Sequence, residues 1–273
     1  MKIEFEKRIF KVKSLLLVLF SMLLWGLVAS LYGRFQDAEL MGMLFGFILG
    51  FLFTLQYIQL FKLILKKLFP LKEYDISLNI KKKTEVYTVK SKTAYSISFA
   101  TFYTNYILIS EKCLEDEIVF NTMLDYEKTR LERGIGIFNT MYLWCIAAIP
   151  IFLEYILFIS TRKYVLRYFF SFLGNMFRIL FYPFLFIVNI LLYSKNIYTQ
   201  NDHLTSLRTR NTEGLIHTFK YLYSQHPSKE FIYFPLMPLL FTGPSTFSTI
   251  QKLWSSQYLE LEERIRFIKN IIG

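Results

Sequence analysis

The side chains able to bind a metal or carry acid–base chemistry are few, and their spacing excludes most of that chemistry. Histidine occurs at positions 203, 217 and 226 and nowhere before residue 203. An H-E-x-x-H pair places two imidazoles one helical turn apart, with a glutamate between them as general base, and no such string exists in this chain. His203 stands beside Asp202, which makes half a ligand set at best. Tyr126, Glu127 and Arg130 lie within one turn of a helical stretch, where Glu and Arg three apart also make an ordinary surface charge pair. Glu154 and Arg178 are ionisable residues inside apolar runs, where charge is costly. They read as an intramembrane pair across two helices, with snorkelling of Arg178 to the headgroups as the competing reading. The two cysteines, Cys113 and Cys145, make no disulfide framework.

The elements that must position these residues are dominated by membrane-like sequence. The 273-residue chain is 53% hydrophobic and 19% aromatic, with a mean hydropathy of +0.34, more apolar than a soluble domain of this length. Its net charge of +11 sits in lysines and arginines that flank apolar runs. That pattern sets topology and excludes nucleic acid as the partner, which would need a basic face on a soluble domain.

A helix needs about 20 apolar residues to cross a bilayer. Four stretches meet that length: Ser14–Tyr32, Leu40–Phe61, Ile137–Ser160 (which contains Glu154) and Tyr164–Ser194 (which contains Arg167, Arg178 and Pro183). The first is read as an uncleaved anchor, since its apolar stretch exceeds that of a signal peptide. Gly42, Gly46 and Gly50 recur every four residues in the second, a smooth strip for close helix packing. Lys2, Lys7, Arg8, Lys11 and Lys13 precede the first pass, and Lys62, Lys66, Lys67 and Lys72 follow the second. The excess of positive charge places both ends of that pair inside, and two further passes return the C-terminus to the same side. Only the Thr161-Arg162-Lys163 link is discordant. The expectation is a multi-pass protein of the cell (inner) membrane, with the lipid bilayer as its first partner and both termini and the polar domain cytoplasmic.

The chain divides into a membrane helix pair over 1–70, a polar stretch over 71–136, a second membrane pair over 137–194 and a polar stretch over 195–273. The polar stretches read as two halves of one domain. Alternating β-rich segments at 84–89, 94–99 and 105–110 predict a small antiparallel sheet. Helices are expected at about 115–133, 198–210, 213–224 and 260–271, and Phe234–Pro244 carries too many prolines to be a regular helix.

This order of parts resembles the HtpX-like integral-membrane zinc metallopeptidases, relatives of the CAAX prenyl proteases. Tyr106-Ile107-Leu108-Ile109-Ser110 followed by Leu114-Glu115-Asp116-Glu117-Ile118 is similar to the family's strand and acidic entry to the catalytic helix. Asp202 with Arg210-Asn211-Thr212-Glu213-Gly214-Leu215-Ile216 is similar to its third-ligand helix and sequel. Leu261-Glu262-Glu263-Arg264-Ile265 is similar to its terminal E-E-R-I element. The resemblance implies a mainly α, polytopic membrane protein, with four transmembrane helices and a small α+β zincin-like cytoplasmic domain split by the second helix pair.

By that resemblance the H-E-x-x-H motif falls on Tyr126-Glu127-Lys128-Thr129-Arg130 and the third metal ligand on Gln200. The base position keeps Glu127, while the three ligand positions hold a phenol, a guanidinium and an amide. Arginine has no lone pair for a metal, and tyrosine is a neutral phenol with a pKa near 10. Asp202 and Tyr258 are expected as neighbours of the site, Tyr258 standing where the family has a His-Pro. No metal or other cofactor is expected; zinc belongs only to the alternative reading. One further expectation is that Arg130 fills the vacated metal space and bonds Glu127, Asp202 or Gln200. The resemblance thus implies an inactive peptidase homologue that binds a membrane or cytoplasmic protein partner. The alternatives are an active quality-control metalloendopeptidase with divergent ligands and an unrelated transport component.

Overall fold

The computed structural model describes residues 2–34, 37–76, 82–91, 93–147, 195–224 and 261–272, together with Met176, Ile187 and Leu192. The protein is mainly helical with one small sheet. Two compact units partition the chain. One contains Met1–Val89, Ser98–Leu108 and Arg130–Cys145; the other contains Lys90–Ile97, Ile109–Thr129 and Ile146–Gly273.

In the first unit, two long helices form a hairpin, α1 (Lys2–Arg34) and α2 (Glu39–Leu68). Each spans roughly 45–50 Å at 1.5 Å per residue, more than a bilayer core requires. Asp37, in the left-handed region at φ 51°, turns the chain between them. The outward faces of both helices expose Leu, Phe, Ile and Val, as lipid-facing surfaces do. Gly42, Gly46 and Gly50 turn toward α1, so the glycine strip is the seam of this hairpin. Two candidate spans are therefore present among the described residues, not four. The expected third pass is described only as far as Ala147. The fourth, apart from Met176, Ile187 and Leu192, lies outside the described residues, and so do Glu154 and Arg178.

The sheet has the order β1-β2-β4-β3, from β1 (Leu71–Tyr74), β2 (Lys83–Val89), β3 (Ser96–Ala100) and β4 (Thr104–Ser110). β1 pairs antiparallel with β2. β3 and β4 form a hairpin closed by the Thr101 N–H on the Thr104 carbonyl at 2.8 Å. Lys82 donates to the Phe102 carbonyl and Asn105 to Thr84, so β2 and β4 begin side by side and run in the same direction. The sheet is mixed, which corrects the antiparallel expectation. The hairpin inserts its second strand beside β2, and alternation within a strand carries no information about which strand lies next to it.

Glu85 on β2 gathers Lys62 of α2 at 2.8 Å, Lys83 at 3.0 Å and the Tyr87 hydroxyl at 2.6 Å. Burial works against its charge, but these partners hold its carboxyl down to about 2, from a usual value of 4.5. A lowered folded pKa contributes stability that is complete above 4.5 and is lost as pH falls toward 2. Solvent screening of the exposed lysines reduces what this shift is worth, so Glu85→Gln should cost about 1 kcal/mol at neutral pH and flatten the acid limb of the unfolding curve between those values. An unchanged acid limb in a pH series of thermal melts would contradict this.

Helix α3 (Glu117–Glu132) is separated from α4 (Ile135–Tyr142) by Gly134, whose φ of 83° favours glycine. A single π turn, Leu143–Ala147, continues α4. The buried Arg133 donates to Glu6 of α1 at 2.8 Å, and Thr140 both donates to and accepts from the Ala100 backbone. Trp144 bonds Thr54 and stacks on Tyr57, which fastens this segment to α2.

The second unit holds a 3-10 turn (Glu111–Glu115), most of α3, then α5 (Lys195–Thr209), α6 (Thr212–Ser224) and α7 (Leu261–Ile272). Asp116 caps α3 by accepting the N–H groups of Ile118 and Val119, and its other oxygen meets His217 of α6 at 2.7 Å. Asn211 caps α6 through the Gly214 N–H at 2.8 Å. Helix α7 packs against both α5 and α6.

Candidate functional site

On α5, Tyr198, Asn201, Asp202 and Thr205 are buried. Their spacing of three and four defines one helix face. Asn201 donates to the backbone carbonyl of Tyr126 at 3.4 Å, so this face lies against α3. Asp202 is fully buried, and an ionised carboxylate there must be paired. One partner is Arg264 of α7. Its Nε reaches Oδ2 at 2.8 Å and its Nη2 reaches Oδ1 at 2.6 Å, a bidentate fork. The same Nη2 lies 3.4 Å from the Tyr126 hydroxyl. The guanidinium also sits 4.1 Å above the Phe219 ring, with the Tyr198 ring at 6.0 Å. Arg264 is thus set among aromatic faces and the Asp202 carboxylate, with its side chain 3% exposed.

Glu127, beside Tyr126 on α3, is also fully buried and accepts the Ser96 hydroxyl at 2.8 Å. The structure therefore brings Tyr126 and Asp202 together through Arg264, while Glu127 is a neighbour in the chain held by β3. Arg130 is buried, which is compatible with an inward role, and a guanidinium that grips Asp202 is that of Arg264. Gln200 is half-buried and lies roughly 200° around α5 from Asp202, so the two cannot share one face. The residue one turn before Asp202 on the buried face is Tyr198. Tyr258 lies outside the described residues.

Sequence reasoning passed over Arg264, Ser96 and Asn201 as members of this cluster. A usable signal existed for the first. Arg264 is one turn before the fully buried Ile268, so a cation occupies the apolar stripe of α7 and requires a buried acid.

A zinc ion needs lone pairs from imidazole, thiolate or carboxylate. Here both oxygens of Asp202 are engaged by a permanent cation, and Tyr126 supplies a neutral phenol. A dication placed on Asp202 would face a guanidinium at contact distance. These donors do not fit zinc. A cavity of about 230 Å³, lined by residues including Glu117, Ile118, Asn121, Asp125 and Asn211, contains none of the cluster residues. Burial raises the Cys113 thiol to about 11, so it carries no nucleophile's character.

A scan of the chain against protein-family models finds no match, and a search of curated proteins finds none either.

Proposed function

We propose that this chain is a membrane-embedded relative of the HtpX-like metallopeptidases that has exchanged hydrolysis for binding. The observation that carries the proposal is the bidentate Arg264–Asp202 pair, closed against Tyr126 in a region where the resemblance expects zinc ligands. A metal site needs an open coordination position and unengaged donors. An internal ion pair of this kind supplies neither, yet it holds three helical segments in one arrangement. The fold is retained as a scaffold while its reaction is gone.

Two long apolar helices support a membrane location. In this reading the second helix pair completes four passes, with the termini and polar domain cytoplasmic, as the lysine placement directs. Binding of a membrane or cytoplasmic protein is supported by β1, an edge strand exposed along most of its length, which leaves a hydrogen-bonding rim for an extended segment of the partner.

The test is metal content and proteolysis on one detergent-purified preparation. The expected outcome is far less than one equivalent of zinc per chain and no cleavage of unfolded substrates, with Glu127→Gln indistinguishable from the parent. One tightly held zinc per chain, released by a chelator together with peptidase activity, would overturn the proposal.

A further inference from the structure

We propose that the tip of the β3–β4 hairpin, Phe102 and Tyr103, docks into the headgroup layer of the anionic leaflet that α1 enters, assisted by Lys7, Lys11 and Lys82. The inference rests on the membrane reading of α1 and adds a second, peripheral contact with the same bilayer.

Tyr103 is 82% exposed, the most exposed large apolar side chain among the described residues, and Phe102 beside it is 56% exposed. These aromatics are not on a loose loop. Thr101 and Thr104 bond each other through both backbone and side chain, which makes the turn short and fixed. Lys82 donates to the Phe102 carbonyl at 3.1 Å and braces the tip from β2.

The position of the tip relative to α1 follows from a chain of contacts within one compact unit. Glu6 binds Arg133, and Lys7 lies against Gly134. Two residues later a Cβ on Gly136 would meet the Ala100 backbone nitrogen at 3.2 Å, and Thr140 binds Ala100 through both its N–H and its carbonyl. The hairpin is therefore anchored to the first turns of α1. The charges of Lys7 and Lys11 are felt at Lys82, where, after burial, they lower its pKa.

Those turns lie at a definable depth. Lys11 is three residues and Lys7 seven residues before Ser14, where the uncharged run begins. At 1.5 Å per residue they stand roughly 4 and 10 Å outside the hydrocarbon. Each headgroup layer is about 5–8 Å thick, so the lysines bracket it. Tyrosine and phenylalanine are the side chains suited to this layer. Among the described residues, Lys7, Lys11 and Lys82 have no acidic partner at ion-pair distance. Three neighbouring cations without counter-charges fit lipid phosphates. A protein partner would also cover aromatic residues, but nothing would then set the tip at headgroup depth.

The test uses the full chain in nanodiscs, with Cys113 and Cys145 replaced by alanine and a spin label introduced by Tyr103→Cys. Relaxation by oxygen and by a water-soluble nickel chelate reports depth. Labels at Leu24→Cys, in mid-α1, and at the exposed Glu117→Cys serve as lipid and aqueous references. In discs of phosphatidylcholine with phosphatidylglycerol, position 103 should be shielded from nickel. Lys11→Gln, or discs of phosphatidylcholine alone, should lower the docked population, by about fivefold for one lysine. If position 103 matches position 117 while position 24 remains in lipid, the tip faces water or awaits a protein, and the proposal fails with the membrane reading intact. Shielding that ignores lipid charge overturns the role of the lysines. If position 24 is itself aqueous, both readings fall.

Discussion

Arg264→Ala should cost about 3–5 kcal/mol of stability, close to the whole margin of many domains, because it removes the bidentate cationic partner of the buried Asp202 carboxylate. Asp202 has no route to water: it is fully buried, and both its oxygens point at the missing guanidinium. The loss should appear as a drop in the thermal midpoint of the detergent-solubilised protein. The double replacement Asp202→Leu with Arg264→Met separates pairing from packing. Removing both charges and refilling the volume is commonly neutral or stabilising, so the double variant should recover most of the loss. A single variant as stable as the parent would mean that Asp202 is not held as described. A double variant as unstable as the single would mean that the aromatic stack on Phe219, not the pair, is what matters.

The same cluster marks where sequence reading ends. Helices α1 and α2 were legible because twenty uncharged apolar residues are a strong, local signal. Strands β2, β3 and β4 were legible because alternation survives in short windows. β1 was not: four residues, two of them charged and three exposed, give an edge strand no pattern to read. The strand order was equally hidden, since β4 lies between β2 and β3 only after the hairpin folds back. Around the cluster, Tyr126, Glu127 and Asp202 were named through the resemblance, and all three are buried. Their partners could not be named. Arg264 lies 62 residues from Asp202 and 138 from Tyr126, and no periodicity links such distances. Gln200 and Asp202 show the complementary limit. Two residues apart in the string, they stand roughly 200° apart around the helix, so phase decides which side chains share a face.

The second large effect is expected at Gly46, where α1 and α2 touch backbone to backbone. A Cβ placed there would lie 2.4 Å from the Trp25 carbonyl oxygen and 2.8 Å from both Ala29 Cβ and Gly26 Cα. No flexible side chain can yield to it, because two of the three atoms are main chain. Gly42, whose Cβ would meet the Ala29 carbonyl at 2.6 Å, lies one turn away on the same seam. Within lipid, helices gain nothing from hiding apolar surface, since the surroundings are equally apolar. Their association depends on close van der Waals approach, which small residues alone permit. Gly46→Ala should therefore cost about 2 kcal/mol, and Gly46→Leu more, by forcing the helices apart over several turns. Phe45→Leu, one residue away on a face that is 61% exposed, should change little. The comparison removes hydropathy as an explanation, because Gly46→Leu makes the helix more apolar and would stabilise insertion of a lone span. Thermal midpoints in detergent and in nanodiscs read the outcome. If Gly46→Leu is tolerated as well as Phe45→Leu in both, then α1 and α2 do not pack through this strip.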